Sequence, residues 1–213
     1  LACNNVGVFY ERGEGVAASA EKAAELYRKA CELGDPAGCG NLGLRYETGD
    51  GVPRDLERAV ALYDKVCNTE AAAGRGLEIK QQACANLAKA QALGRGTAKQ
   101  PEKAVALLQA NCDQGSLAAC ADLGSSYVRG LGVAADVGKG IALLRRACDG
   151  DGPQGCHGLA VVYAKGLGVA QDVKQAEQLA IKACNAKVGA GCSFVGVLYD
   201  EGKLVARNPH RAA

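Results

Sequence analysis

"CELGDPAGC" (residues 31–39) holds two cysteines eight positions apart, with a glycine, an acid and a proline between them. Near-copies follow as "CDQGSLAAC" (112–120), "CDGDGPQGC" (148–156) and "CNAKVGAGC" (184–192). Outward from these, Cys31, Cys67, Cys112, Cys148 and Cys184 form one ladder. Cys3, Cys39, Cys84, Cys120, Cys156 and Cys192 form a second. Each ladder steps by 36 residues, except for one step of 45, and a single nine-residue insertion within residues 68–83 explains both exceptions. A fixed period of this length marks a repeat architecture.

The rest of the unit keeps the same phase. Seven residues after each second-ladder cysteine stands Tyr10, Tyr46, Gln91, Tyr127, Tyr163 or Tyr199, and three further on comes a glycine, from Gly13 to Gly202. A Gly-x-Gly-Val turn then recurs, with "GRGT" in the divergent third copy. A residue suited to starting a helix follows: Ser19, Asp55, Gln100, Asp136, Asp172 or Asn208. Each unit therefore reads as two helices. In the first, Leu42 and Tyr46 share a face at i, i+4, and Gly49 lies where a C′ glycine belongs. In the second, Asp55 caps and Ala59, Leu62 and Val66 form the buried stripe. The opening stretch is the tight turn between units. Gly34 ends one helix, Asp35 caps the next and Pro36 fits its first turn. The expected fold is an all-α, α/α superhelical solenoid of helix-pair repeats. Residues 1–213 read as one array that starts and stops within a repeat, since "RNPHRAA" opens a helix with Asn208 as cap.

The run "LGLRYETGDGVPRDLERA" (42–59) resembles the Sel-1-like repeat signature L-G-x-x-Y-x-x-G-x-G-V-x-x-D-x-x-K/R-A, and the resemblance covers essentially the whole chain. That family is related to the tetratricopeptide repeats. One cysteine pair per unit further resembles its secreted, cysteine-rich members, some of which are assigned as β-lactamases or penicillin binders. The resemblance implies an α/α superhelix, protein or peptide partners, and as an alternative a binder of β-lactams or peptidoglycan fragments with weak hydrolysis.

The spacing excludes zinc sites, which use C-x₂₋₄-C, and C-x-x-C redox sites; no metal or cofactor is expected. Each pair instead sits on two antiparallel helices joined by a short turn, close enough for disulfide geometry. The expected bridges are Cys31–Cys39, Cys112–Cys120, Cys148–Cys156, Cys184–Cys192 and, across the insertion, Cys67–Cys84. Cys3 is left as a free thiol, because its partner position falls six residues before Leu1. Regular structural disulfides point to a periplasmic or secreted protein.

Composition narrows the function classes. Charges are interspersed, the formal net charge is +2, and no basic stripe suggests nucleic acid. No run of 18 apolar residues would span a membrane. "GLGVAA" (130–135) matches a dinucleotide fingerprint but follows a helix rather than a strand, so it reads as a loop. "SAEK" (19–22) matches S-x-x-K without its companion motifs. Ser19 also occupies the slot of Asp55 and Asp136, which makes it a cap. His157 and His210 are the only histidines, and no nucleophile–base set can be named, so catalytic residues are expected to be none.

Binding in helix-pair solenoids uses the face lined by the first helices. Two residues after each second-ladder cysteine stand Asn5, Asn41, Asn86 and Asp122, then Gly158 and Phe194. In tetratricopeptide relatives a similarly placed asparagine bonds an extended peptide backbone, and an amide can both donate and accept there. The competing reading has these asparagines tie neighbouring helices together. Lys89, Arg129 and Lys165 lie farther along the same helices and suit a carboxylate, and His157 suits a groove position. The function expected is a non-catalytic protein- or peptide-binding scaffold outside the cytoplasm.

Overall fold

The computed structural model describes residues 2–70 and 73–200; the expected cap Asn208 and His210 lie outside them. Eleven helices and no strand occur among the described residues: α1 (Ala2–Arg12), α2 (Ala20–Glu32), α3 (Pro36–Thr48), α4 (Leu56–Cys67), α5 (Arg75–Leu93), α6 (Pro101–Asp113), α7 (Leu117–Arg129), α8 (Val137–Asp149), α9 (Pro153–Lys165), α10 (Val173–Asn185) and α11 (Gly189–Asp200). The chain divides into two compact units, Leu1–Leu107 and Leu108–Ala213. In the first, α1 to α5 pack each on the next, and the odd-numbered helices also touch one another, α1 on α3 and α3 on α5. In the second, α7 to α11 do the same, with α7 on α9 and α9 on α11. This is the packing of a helix-pair solenoid.

Local chemistry sets the boundaries. Asp55 accepts from the Arg58 amide at 2.9 Å, and Asp136 and Asp172 cap α8 and α10 in the same way. Asp35 caps α3 through the Ala37 amide, with Pro36 in the first turn and Gly34 at φ +84°. Gly49 ends α3 in the left-handed region, which a residue with a Cβ enters reluctantly. Gly51, two residues on, is needed for space: a Cβ there would lie 2.1 Å from the carbonyl oxygen of Ala20 at the start of α2. Gly96 repeats this against Leu56, at 2.2 Å. The Gly-x-Gly turn thus ends one helix and seats its loop on the preceding repeat.

The core is built from small residues and a few rings. Tyr27 and Tyr63 are fully buried, and each ring fills the notch left by a glycine, Gly7 and Gly43, whose Cβ would fall 2.7 and 2.8 Å from it. Leu42, Tyr46, Ala59 and Val66 are buried as expected, but Leu62 is only partly so, and Tyr63 is the large side chain at the centre. All five expected disulfides are present. Cys3 is free and half-buried. The insertion is more than a loop excursion. It lengthens α5 to 19 residues, lays Ile79 on the Cys31–Cys39 cluster, and lets Lys80 Nζ donate to the Thr69 carbonyl at 2.8 Å.

Candidate functional site

The asparagine row does two different things in the first unit. Asn41 Nδ2 donates to Oδ1 of Asn4 at 2.9 Å, and Asn4 is buried at 4% exposure. Asn41 therefore ties α3 to α1, while Asn5, one residue on, is exposed. Asn86 accepts from Gln82 Nε2 at 3.2 Å and also bonds the Tyr63 hydroxyl. That hydroxyl donates to Oε2 of Glu47 at 2.8 Å. Burial, followed by the bond to Glu47, pushes the Tyr63 phenol well above its ordinary pKa, so it stays protonated and keeps donating.

These groups border a shallow depression between α3 and α5, floored by α4. Glu47 stands on one side, Leu56 and Val60 below, Asn86 and Lys89 on the other, and Arg95 follows from the loop after α5. Lys89 and Arg95 are exposed, and neither side chain has a hydrogen bond or ion pair among the described residues. Such a site can offer a carboxylate, two exposed cations and an apolar floor to one or two residues of a partner.

One repeat earlier, the equivalent corner is closed. Arg45 is buried at 8% exposure, donates from Nη2 to Oε1 of Glu11 at 2.8 Å, and pairs through Nη1 with Asp50. The Tyr27 hydroxyl donates to the other Glu11 oxygen.

The remaining sequence candidates belong to the second unit. Asp122 is exposed on α7. Arg129 and Lys165 are exposed in the last turns of α7 and α9, where a cation meets the negative end of the helix dipole. His157, on α9, packs edge-on against Phe194 of α11 with ring centroids 5.7 Å apart. Burial lowers its pKa, so the imidazole is neutral near pH 7, and its buried Nδ1 has no partner. No group of three or more His, Cys, Asp or Glu side chains that could hold a metal occurs among the described residues.

Ser19 caps α2. Its Oγ accepts from the Lys22 amide at 3.3 Å and donates to Glu21 at 3.1 Å. The Lys22 ammonium lies over the Tyr10 ring instead, 5.2 Å from its centroid. Ser19→Ala is expected to cost about 1 kcal/mol as a lost cap, a fall in Tm of roughly 2–4 °C. An unchanged melting curve would show that the hydroxyl has no capping role.

Sequence reading missed Glu47, Tyr63 and Arg95. The available signals were positional: Glu47 follows Cys39 at the distance at which Glu11 follows Cys3, and Arg95 takes the place of Asp50.

The family model described as Sel1 repeat matches residues 1–35, 36–68, 81–116, 117–152, 153–188 and 189–213. No curated protein matches the chain. Among solved structures, a Sel1 repeat protein from Oxalobacter formigenes is similar at 26% identity and a TM-score of 0.82, over 99% of this chain and 81% of that one. The protective antigen c5321 of uropathogenic Escherichia coli, with an SLR fold, matches at 24% identity and a TM-score of 0.67, over 99% of this chain and 44% of its own, a likeness of fold alone. Cysteine-rich protein B of Helicobacter pylori is 28% identical over 57% of this chain and 87% of that one, with a TM-score of 0.43.

Proposed function

We propose, from the premise that the chain belongs to the Sel1 repeat family, that it is a non-catalytic scaffold holding an extended segment of a partner protein. Sel1 repeats usually bind proteins. The observation that carries the reading here is the depression between α3 and α5. It combines unpaired charged side chains with an apolar floor and is small enough for a residue or two of a passing chain. Asn86 borders it as an amide already engaged with Gln82 and Tyr63, so it positions the rim. Asn5, Asp122, Arg129, His157 and Lys165 remain proposed contacts along the other first helices. The protein works in an oxidising, extracytoplasmic compartment. Five disulfides support this, since cytosolic reductants keep such thiols reduced.

Random heptapeptides displayed against the oxidised protein provide the test. Selected binders should lose about tenfold in affinity on Leu56→Ser, which removes part of the apolar floor; a melting curve confirms that the variant is folded. Binders indifferent to Leu56→Ser would place recognition elsewhere and refute the groove. Thiol trapping in acid-quenched native cells tests the compartment: widespread labelling of the ten paired cysteines would refute it.

A further inference from the structure

Two equivalent corners of the first unit differ in two side chains, one of them a missing arginine. In the first corner, the Tyr27 hydroxyl bonds one oxygen of Glu11, and Arg45 Nη2 donates to Oε1 at 2.8 Å while Nη1 meets Asp50. One repeat on, the same four positions carry Tyr63, Glu47, Ala90 and Arg95. The tyrosine–carboxylate bond is kept, Tyr63 to Glu47 Oε2 at 2.8 Å. The arginine is not: Ala90 replaces it, and Oε1 of Glu47 has no partner among the described residues. The acid is not kept either, because Arg95 stands in the position of Asp50 and reverses its sign. The depression is thus the space that an arginine side chain occupies one repeat earlier, still lined by the carboxylate that would hold it.

We infer that this corner receives an arginine from the partner segment, with an acidic residue beside it. The scaffold reading is the premise, and the inference specifies its ligand. A guanidinium presents N–H donors in a planar fork to the open oxygen of Glu47, while Tyr63 holds the other oxygen in place. Its aliphatic stem lies on Leu56, Val60 and Ala90, as buried arginine stems do. The acidic neighbour takes the part that Asp50 plays in the first corner and answers Lys89 and Arg95. Without it those two cations oppose an incoming guanidinium, so the corner recognises the pair of charges. The partner restores from outside the network that Arg45 and Asp50 complete from within.

The heptapeptide selection tests this through sequence and through three variants. Wild-type binders should be enriched in arginine next to aspartate or glutamate. Replacing that arginine by glutamine should weaken them about ten- to a hundredfold, the range for a hydrogen bond to a charged group. Glu47→Gln should weaken them similarly at an unchanged Tm, since the amide oxygen can still accept from Tyr63. Ala90→Arg should fill the corner from within and block the same peptides, and adding Arg95→Asp should raise the Tm by rebuilding the first corner. Should Ala90→Arg fail to fold, Glu47→Gln decides. Binders that carry only acids, or that ignore Glu47→Gln, would overturn the inference; their sensitivity to Leu56→Ser would leave the scaffold reading standing. Binders that ignore Leu56→Ser as well would overturn both.

Discussion

Full reduction of the disulfides is expected to remove most of the helical signal at 25 °C and to abolish cooperative melting. Four bridges close loops of sequence separation 8 and one closes a loop of 17. In the chain-entropy model each shorter loop contributes about 2.6 kcal/mol and the longer one about 3.2, together roughly 14 kcal/mol. Whole domains are stable by about 5–15 kcal/mol. The apolar core has little in reserve, because the chain has no Trp or Met and its buried set is dominated by alanine and by the cysteines themselves. Reduced thiols still pack as small apolar groups, so the loss comes mainly through the unfolded chain rather than through a cavity. The measurement is far-UV circular dichroism of protein held reduced by excess phosphine, with the thiols left unmodified, against the oxidised form. A Tm within a few degrees of the oxidised protein would show that helix packing alone suffices. Partial reduction should open Cys184–Cys192 first, because Cys192 is exposed and Cys184 half-buried, whereas the other bridged cysteines are buried.

The regular placement of the bridges explains why so much of the fold was legible in the sequence. Disulfides between adjacent helices require a constant register, so the two cysteine ladders carry the period, the helix pairing and the bridge partners at once. The functional face lacked such a ruler. A step of one residue turns a helix by about 100°, so periodicity did not distinguish Asn4, buried and bonded to Asn41, from exposed Asn5. The same ambiguity put Leu62 in the stripe that Tyr63 fills. Arg45 offered a signal that was not used. The other residues six places after a second-ladder cysteine are Phe9, Ala90, Ser126, Val162 and Leu198, none of them charged. A lone arginine in that column implies a buried charge with carboxylates in reach, and Glu11 and Asp50 are those carboxylates. Its replacement by Ala90 is equally visible in the alignment of repeats, but an alanine on a helix face attracts no attention until the space it leaves is seen.

Gly51→Ala is expected to be among the most damaging single substitutions in the first unit, and Gly15→Ala at the matching turn a mild one. The two glycines share a backbone conformation, φ +74° and +73°. Alanine in that left-handed region costs roughly 1–2 kcal/mol at either position. Their surroundings differ. A Cβ on Gly15 meets nothing within 4 Å, whereas one on Gly51 falls 2.1 Å from the Ala20 carbonyl oxygen and 2.8 Å from the Glu21 amide nitrogen. Both are backbone atoms at the start of α2 and cannot swing aside as a side chain would. The loop must lift from the helix below, adding about 1–3 kcal/mol of overpacking. Thermal melting should therefore fall by about 2–8 °C for Gly15→Ala and by roughly twice that for Gly51→Ala. The difference between the variants isolates the packing contribution, since the conformational cost is common to both. Equal shifts would mean that the turn glycines serve conformation alone and that the loop does not bear on the preceding repeat. A large excess at Gly51, repeated at Gly96 where Leu56 O is 2.2 Å away, would identify the second glycine of each turn as the contact through which one repeat sets the position of the next.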